Sequence, residues 1–323
     1  MSDRGSAIDA FLDQTEWSDW TRTALAGDAS ARRYLRLSKG PNTAILMDAP
    51  PTNDEDTTPF VEIAQLLTTH GFAAPHILAH DPDKGLVMLS DLGASDYVRW
   101  LAKNPGDEAM LYKAAADVLL RLETIPPPAH LGRMTPDVGA DMVAIVGTHY
   151  SKSNTTDLQQ ELRKAMTNFA PNASTLALRD YHAENLIWRP DKDDLDQVGL
   201  LDFQDAFTAP AGYDLASLLR DARRDISTAV ANDIIDYFAA RTKAEGNFRA
   251  SLACLGVQRN LRILGVFARL VSVIGKPRYL QFMPRVWGHI LQDLQNPALA
   301  TLKQAVLDTV PAPTADHLQR LKP

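Results

Sequence analysis

The first third of the chain alternates short apolar runs with turn residues, which is the pattern of strands joined by hairpins. Mainly apolar runs at residues 34–37 and 44–47 are separated by a stretch that contains Ser-Lys-Gly-Pro-Asn, and runs at residues 77–80 and 86–89 are separated by Asp-Pro-Asp-Lys-Gly. Both separators are rich in the residues that tight turns require. The pattern therefore predicts two β-hairpins before residue 91.

One helix is predicted between these hairpins. Apolar residues recur at helical spacing from Phe60 to Leu67. Thr58 and Pro59 precede them, and we expect the Thr58 hydroxyl to cap the helix, with proline at its first position. Gly71 marks the end of the helix.

The rest of the chain is mainly helical in pattern. The spacing of apolar residues predicts helices over residues 110–122, 156–169, 213–224, 226–240, 252–270 and 286–294. One hairpin interrupts them, with strands at residues 185–188 and 198–201. Together these patterns predict an α+β fold with a small β-rich N-lobe over residues 1–91 and a larger, mainly helical C-lobe over residues 92–323.

The main candidate site is formed by polar residues where the first strand of this hairpin begins and its second strand ends. Asn185 starts its first strand and Asp202 follows its second strand, so antiparallel pairing should bring the two side chains together. An amide oxygen and a carboxylate suit Mg²⁺, with phosphate oxygens completing its shell. Asp180, five residues before Asn185, can point to the same place and orient a hydroxyl for phosphoryl transfer. Turn capping is the alternative role for Asp180 and Asn185.

Neighbouring residues are further candidates. His182 and Glu184 could contact a substrate, and a hydrogen bond that stabilises the loop is their alternative role. Asp205 could approach a second metal or a sugar, with a turn cap as its alternative. Asp214 precedes an apolar helix, so we expect it to cap that helix and to brace the loop that carries Asp180.

Composition narrows the class of protein. Of 323 residues, 45% are hydrophobic and 23% are charged, as in an ordinary soluble globular chain. The net charge of −7 disfavours a nucleic-acid-binding surface. The single cysteine, Cys254, excludes an internal disulfide and indicates a reducing, cytoplasmic setting. We expect no signal peptide, no membrane span and no obligate protein partner.

A basic segment stands out from this acidic background. Residues 246–292 contain seven basic residues and no acidic residue. Arg259, Arg262 and Arg269 recur at spacings of three and seven, which places them on one face of a helix. One interpretation is that this face recognises an anionic group of a substrate, with Arg259 as the candidate residue. Pairing with acidic residues elsewhere in the lobe is the other interpretation.

The two motifs around the hairpin resemble those of a known family. The loop from Asp180 to Asn185 and the run Leu200-Leu-Asp202-Phe-Gln are similar to the catalytic and metal-binding motifs of the aminoglycoside phosphotransferase and choline kinase family. A narrower resemblance, to the bacterial anomeric N-acetylmuramate/N-acetylglucosamine kinases, covers residues 27–294. It rests on residues 27–30, 32–34, 46–51, 89–93, 213–219 and 258–261.

This resemblance implies a protein-kinase-like, two-lobed fold and a defined reaction. The cofactors would be ATP and Mg²⁺, and a small amino sugar would be phosphorylated at its anomeric hydroxyl, to the 1-phosphate, in peptidoglycan recycling. Asp180 would orient or deprotonate that hydroxyl, and Asn185 and Asp202 would hold the metal. The N-lobe would bind the nucleotide, with Leu89 to Asp91 as the hinge that meets adenine.

The residues that would bind phosphate depart from the family pattern. Leu178 stands where the wider family usually has histidine, and Met47 stands near the place of the phosphate-binding lysine of protein-kinase-like folds. No G-x-G-x-x-G loop is present. The turn before the first predicted strand offers backbone amides, Ser30, Arg32 and Arg33 instead. Our hypothesis is that Arg32 or Arg33 replaces the lysine.

Other functions fit parts of the pattern. An aminoglycoside kinase shares the motifs, as does a choline or homoserine kinase, but a polycationic aminoglycoside would need an acidic pocket rather than a basic segment. A nucleotide-binding pseudokinase is suggested by the missing lysine, although such a protein has no need of Asp180. A metal-dependent hydrolase could use Asp180, His182, Asp202 and Asp205, but the chain lacks a pair of histidine ligands on a helix.

Overall fold

The structure is a computed structural model that describes residues 2–25, 32–51, 56–242 and 246–322. Its strands are β1 (Thr21–Ala24), β2 (Arg33–Lys39), β3 (Asn42–Asp48), β4 (Ile77–Asp81), β5 (Leu86–Ser90), β6 (Thr175–Ala177), β7 (Leu186–Trp188), β8 (Val198–Leu200) and β9 (Phe207–Ala209). Its α-helices are α1 (Ser2–Leu12), α2 (Thr58–Thr69), α3 (Tyr97–Lys103), α4 (Glu108–Leu122), α5 (Pro136–Asp141), α6 (Thr156–Phe169), α7 (Tyr213–Leu219), α8 (Thr228–Ala239), α9 (Phe248–Ser272), α10 (Met283–Asp293), α11 (Ala300–Thr309) and α12 (Ala315–Arg320).

The chain divides into two compact units. The first unit consists of Met1–Tyr97 and Asn185–Asp205, and the second consists of Val98–Glu184 and Ala206–Pro323. The first unit therefore contains the hairpin β7–β8, which the predicted boundary at residue 91 had left in the larger lobe. The division of labour between a nucleotide-binding lobe and a sugar-binding lobe stays a prediction.

The first unit is built on a five-stranded antiparallel sheet with the strand order β1-β2-β3-β5-β4. The two predicted hairpins are confirmed as β2–β3 and β4–β5. Helix α1, which the apolar pattern did not predict, packs Phe11 and Leu12 into a core with Leu37, Leu46 and Met88 of the sheet. This contact stabilises α1, because a short helix is marginal on its own in water.

Helix α2 begins where the sequence predicts, but its cap is different. The amide of Thr58 donates to Oδ1 of Asp56 over 2.8 Å, so a carboxylate serves this end of the helix. The expectation that the Thr58 hydroxyl caps the helix is wrong, because Thr58 is already helical and Asp56, two residues earlier, can accept from its amide. Gly71 follows the helix with a φ of +80°, as expected of a residue that ends a helix.

The second unit is organised around α9, a helix of 25 residues. Helices α6, α7 and α10 all pack against it, and residues 248 and 250–261 of α9 are buried. The predicted helix over residues 156–169 is α6 with the same bounds, and the prediction over residues 252–270 is α9 without its first turn and its last two residues. Among the described residues, no helix is both long enough and apolar enough to cross a membrane.

The helix predicted over residues 213–224 is shorter than expected, because α7 ends at Leu219. Just beyond this end, Oδ1 of Asp221 accepts a hydrogen bond from the amide of Arg223 over 2.9 Å. Aspartate side chains that bind nearby amides in this way compete with helical hydrogen bonds. The chain therefore leaves the helix at the point where Asp221 and Arg223 are needed for other contacts, which are described below.

Candidate active site

The hairpin β7–β8 places Asn185 beside Asp202, as its antiparallel pairing requires. Leu186 faces Leu200 and Trp188 faces Val198, and the amide of Leu201 donates to the carbonyl of Asn185 over 3.0 Å. At this end of the ladder, Nδ2 of Asn185 lies 3.4 Å from Oδ2 of Asp202. The structure thus brings together the two side chains that the sequence analysis assigned to one metal ion, although seventeen positions separate them.

The Asp202 carboxylate is held in place by its own neighbours. Its backbone has a φ of +58°, a left-handed conformation that aspartate tolerates better than most residues. Nε2 of Gln204 donates to Oδ1 of Asp202 over 2.9 Å. Between them, Phe203 is fully buried and stacks on Phe60 at a ring distance of 5.0 Å. The carboxylate therefore has a fixed backbone and a fixed side-chain orientation.

This oxygen pair fits a hard divalent cation such as Mg²⁺. Oδ1 of Asn185 and the exposed Asp202 carboxylate supply oxygen ligands, and Mg²⁺ commonly takes one or two from a protein and the rest from phosphates and water. Oε1 of Gln204 is buried and has no hydrogen-bond partner among the described residues, so it could accept from a metal-bound water. In the described part of the chain, no group of three or more His, Cys, Asp or Glu residues could hold a metal.

The loop that carries Asp180 is held through its backbone by Asp214. Oδ2 of Asp214 accepts from the amide of Leu178 over 2.6 Å, and Oδ1 accepts from the amide of Arg179 over 3.0 Å. The expectation that Asp214 braces this loop is confirmed, whereas the expectation that it caps α7 is wrong, because Gly212 is the N-cap and Asp214 lies within the first turn. Burial raises the pKa of Asp214 to about 7, although the two amides and Arg259 act in the opposite direction. Asp180 itself is half-buried, and its sharing of one site with Asn185 stays a prediction.

A second carboxylate holds the other end of the loop. Oδ2 of Asp221 accepts from the amide of Ala183 over 3.3 Å, and Asp221 is almost completely buried. Between the two braced ends, the hydroxyl of Tyr181 donates to the carbonyl of Ala115 on α4 over 2.9 Å. Backbone contacts and one buried tyrosine therefore hold the loop in place.

His182 and Glu184 are linked through Arg223. Nε of Arg223 lies 2.6 Å from Oε2 of Glu184, and its Nη1 lies 3.4 Å from Nε2 of His182. Arginine can only donate, so this imidazole nitrogen is the acceptor. Burial, followed by the charges of Arg223 and Arg259, holds the pKa of His182 well below its usual value, so the ring is neutral at neutral pH. The alternative of loop-stabilising contacts is therefore realised for both residues, and their role in substrate binding stays a prediction.

The arginines of the basic segment differ in their burial and in their contacts. Arg249 pairs with Asp236 over 2.5 Å and Arg285 pairs with Asp225 over 2.8 Å, both at the surface, so the structural interpretation holds for these two. Arg259 differs, because only 5% of it is exposed and it interacts electrostatically with His182 and Asp214. The candidate for anion recognition therefore lies against the loop of Asp180.

Two of the predicted nucleotide-binding residues, Leu89 and Asp91, lie at the end of β5 and just after it. Leu89 is buried in β5, and Asp91 directly after that strand pairs with Nε of Arg36 over 2.7 Å. Oδ1 of Asp91 also accepts from the amide of Gly93 over 2.9 Å. Because this carboxylate is fully engaged within the protein, we expect the backbone rather than the Asp91 side chain to meet a base.

Asp205, a predicted substrate contact, is exposed and is the last residue of the first unit. Its role in substrate binding stays a prediction.

The phosphate-binding hypothesis falls only partly within the described residues. Ser30 lies outside them. Nη2 of Arg33 lies 2.7 Å from Oδ2 of Asp48, and Nε of Arg4 donates to Oδ1 of the same buried carboxylate over 2.7 Å. Arg33 is therefore committed to an ion pair at the end of the β2–β3 ladder, and Arg32 interacts electrostatically with Asp56. Which of the two arginines replaces the lysine stays a prediction.

Sequence reasoning missed three residues that hold candidate residues or their loop in place: Gln204, Asp221 and Arg223. In the helix predicted over residues 213–224, Asp221 lies two turns after Asp214, which was a usable signal, although α7 ends before it. Gln204 and Arg223 carried no such signal, because their roles depend on which side chains the fold brings next to them.

Comparison with known proteins shows the family of the chain. Residues 21–249 match the model of the APH phosphotransferase enzyme family. The N-acetylmuramate/N-acetylglucosamine kinase of Caulobacter vibrioides is 37% identical to this chain, over 94% of the chain and 95% of that protein.

Solved structures show the same fold at low identity. The choline kinase LicA from Streptococcus pneumoniae has a TM-score of 0.64 at 10% identity, covering 92% of this chain and 99% of that chain. A spectinomycin phosphotransferase in complex with ADP and spectinomycin has a TM-score of 0.60 at 12% identity, covering 93% and 98%. These likenesses show the protein-kinase-like fold of aminoglycoside phosphotransferases and choline kinases. The chain belongs to the APH phosphotransferase enzyme family.

Proposed function

We propose that this phosphotransferase transfers the γ-phosphoryl group of ATP to the anomeric hydroxyl of N-acetylmuramate and N-acetylglucosamine in the cytoplasm. The observation that carries the proposal is the similarity to the Caulobacter vibrioides kinase, which extends over nearly the whole of both chains. The products would be sugar 1-phosphates, which can enter nucleotide-sugar synthesis for peptidoglycan recycling.

Asp180 is the proposed catalytic residue. Its carboxylate takes the proton of the anomeric hydroxyl, the sugar oxygen forms a bond to the γ-phosphorus, and the bond from that phosphorus to the β–γ bridging oxygen breaks to release ADP. The two braces at Asp214 and Asp221 support this role, because they fix the loop on both sides of Asp180. Positioning of this kind supplies most of the catalysis in phosphoryl transfer.

Asn185 and Asp202 are the proposed ligands of a Mg²⁺ ion. When bound, Mg²⁺ would neutralise charge on the nucleotide phosphates. The hydrogen bond from Gln204 supports this role, because it orients the Asp202 carboxylate before any ligand arrives. We further propose that the backbone from Leu89 to Asp91 meets the base, and that Ser30 and Arg32 face the phosphates. His182, Glu184, Asp205 and Arg259 are the proposed contacts of the sugar.

The decisive experiment is a coupled assay of ADP release with four acceptors: N-acetylmuramate, N-acetylglucosamine, choline and kanamycin. We expect turnover with the two amino sugars alone. Asp180→Asn should lower kcat by about 10³-fold or more while ATP still binds, since it removes the proton acceptor. Asp193→Asn, at an exposed position in the β7–β8 connection, is the matched control and should leave kcat unchanged. Turnover of choline or kanamycin in place of the sugars would overturn the proposed substrate.

A further inference from the structure

Arg259 is a buried cation with an unsatisfied hydrogen-bonding group. Its residue is 5% exposed, and its Nη1 has no hydrogen-bond partner among the described residues. A buried charge without full compensation is strongly unfavourable, and nearly all buried polar groups of folded proteins have a partner. A group of this kind within an enzyme site therefore suggests that a ligand supplies the missing acceptor.

The position of Arg259 on α9 directs it toward the catalytic loop. Phe248 and Leu252 of α9 lie against the backbone of Gly212 at the start of α7, where an added Cβ would come within 3.0 Å of the Phe248 ring. Arg259 follows Leu252 after seven residues and Arg262 after ten, which keeps both on the same helical face. This face is therefore the one that α9 turns toward Asp214 and the loop that Asp214 braces.

Several charged groups of the second unit interact at this point. Arg259 interacts electrostatically with His182, Asp214 and Arg262, and Arg262 interacts with Arg179 and Asp180. Arg223 of the same unit is paired with Glu184.

Three guanidinium groups, those of Arg179, Arg259 and Arg262, thus surround two carboxylates, those of Asp180 and Asp214. Burial raises the pKa of Asp214 to about 7, so this group carries only part of a charge at neutral pH. Burial and then Arg179 lower the pKa of Arg262, the direction expected for like charges brought together. An incoming anion would relieve the repulsion of Arg262 with Arg179 and Arg259.

We propose that Arg259, together with Arg262, binds the carboxylate of an acidic amino sugar and so makes position 259 the determinant of preference for N-acetylmuramate over N-acetylglucosamine. The inference rests on the proposed function. The two sugars share the acetamido group and the anomeric hydroxyl, and they differ by the lactyl carboxylate. A guanidinium matches a carboxylate in geometry as well as in charge.

The neutral His182 fits this assignment. It is buried near the same cations and accepts from Arg223, so it adds no positive charge of its own. Neutralising a bound anion is therefore left to the guanidinium groups. The other anion that could satisfy Arg259 is the phosphoryl group in transfer. That group is common to both acceptor sugars, so the two occupants predict different outcomes for a variant.

The test compares both sugars with wild type, Arg259→Gln and Arg259→Lys by steady-state ADP release. We expect Arg259→Gln to lower kcat/KM for N-acetylmuramate by about 10- to 100-fold, the scale of one hydrogen bond between charged groups, mainly through KM. N-acetylglucosamine should change less than about threefold, and Arg259→Lys should recover part of the loss because it keeps the charge. Arg249→Gln, which breaks the surface pair of α9 with Asp236, is the control and should leave both sugars unchanged.

Each other outcome has a definite meaning. An equal loss for both sugars would overturn the inference and assign Arg259 to the phosphoryl group or to the loop, while the proposed function would stand. No loss for either sugar would overturn it as well. If Arg259→Gln fails to fold by circular dichroism, Arg262→Gln, at a half-buried position on the same face, takes its place with the same expectation. Wild-type protein that phosphorylates neither sugar would overturn the proposed function and this inference together.

Discussion

Asp214→Asn tests whether the brace of the catalytic loop is a proton-binding group. The wild-type carboxylate is 5% exposed and accepts the amides of Leu178 and Arg179. Asparagine has nearly the same shape but offers one acceptor oxygen, so its Nδ2 group faces one of the two amides. We expect that mismatch to cost about 1–3 kcal/mol of unfolding free energy at every pH.

A second contribution depends on pH, and its sign follows from burial. The pKa of Asp214 rises from 3.8 to about 7 on folding, so the folded chain binds a proton more readily than the unfolded chain. The unfolding free energy should therefore fall as pH rises from about 4 to about 7 and stay level above that range. Between pH 5 and pH 8 the loss from this group is about 3 kcal/mol, at 1.36 kcal/mol for each unit between pH 5 and the raised pKa.

Asparagine does not titrate, so the variant should lack this loss. Urea unfolding at pH 5 and at pH 8 gives the unfolding free energy of the variant relative to that of wild type at each pH. This relative free energy should be about 3 kcal/mol more favourable to the variant at pH 8 than at pH 5. Asp293, whose pKa burial raises to about 6, is present in both proteins and cancels. Asp233→Asn, at an exposed position on α8, controls for the exchange of carboxylate for amide. A difference that does not change with pH would refute the reasoning.

Three further changes test contacts that hold candidate residues in place. Gln204→Ala removes the donor to Asp202, so the Mg²⁺ concentration for half-maximal ADP release should rise several-fold while KM for the sugar stays the same. Asp221→Asn weakens the acceptor of the Ala183 amide and should lower kcat by about tenfold in the same assay; an unchanged kcat would dismiss this brace. Arg36→Ala leaves the Asp91 carboxylate without its cation and should lower Tm by several degrees in thermal unfolding, and an Arg36→Ala/Asp91→Ala double variant should recover part of the loss.

Local geometry explains why the hairpin could be predicted. Two apolar strands around a polar turn specify an antiparallel pair, and that pairing brings Asn185 to Asp202 whatever the rest of the fold does. The hairpins of the N-terminal sheet were readable for the same reason. Helix α1 was not, because its stability comes from packing Phe11 and Leu12 on a sheet whose strands lie later in the chain.

The partners of the catalytic loop could be predicted only in part. Asp214 was recognisable because it lies at the start of an apolar helix, but its acceptor role depends on amides 35 and 36 positions earlier. The pairing of Arg223 with Glu184 requires α7 to end early, which the apolar spacing over residues 213–224 concealed. The exit from the helix is set by polar contacts, whereas hydrophobic periodicity reports only on packing.

Asp214 binds the backbone of the catalytic loop rather than its side chains. This contact bears on the leucine at position 178, a departure from the family pattern. Leu178 stands where the wider family usually has histidine. In the structure, the group used at this position is the amide of Leu178, bound to Asp214 over 2.6 Å, and the leucine side chain is 98% buried. Any residue that fills this buried space presents the same amide, so the anchoring of Asp180 does not require an imidazole at position 178. The missing lysine at Met47 is a different matter, because a main-chain group cannot supply its charge, and its replacement by Arg32 or Arg33 stays a prediction.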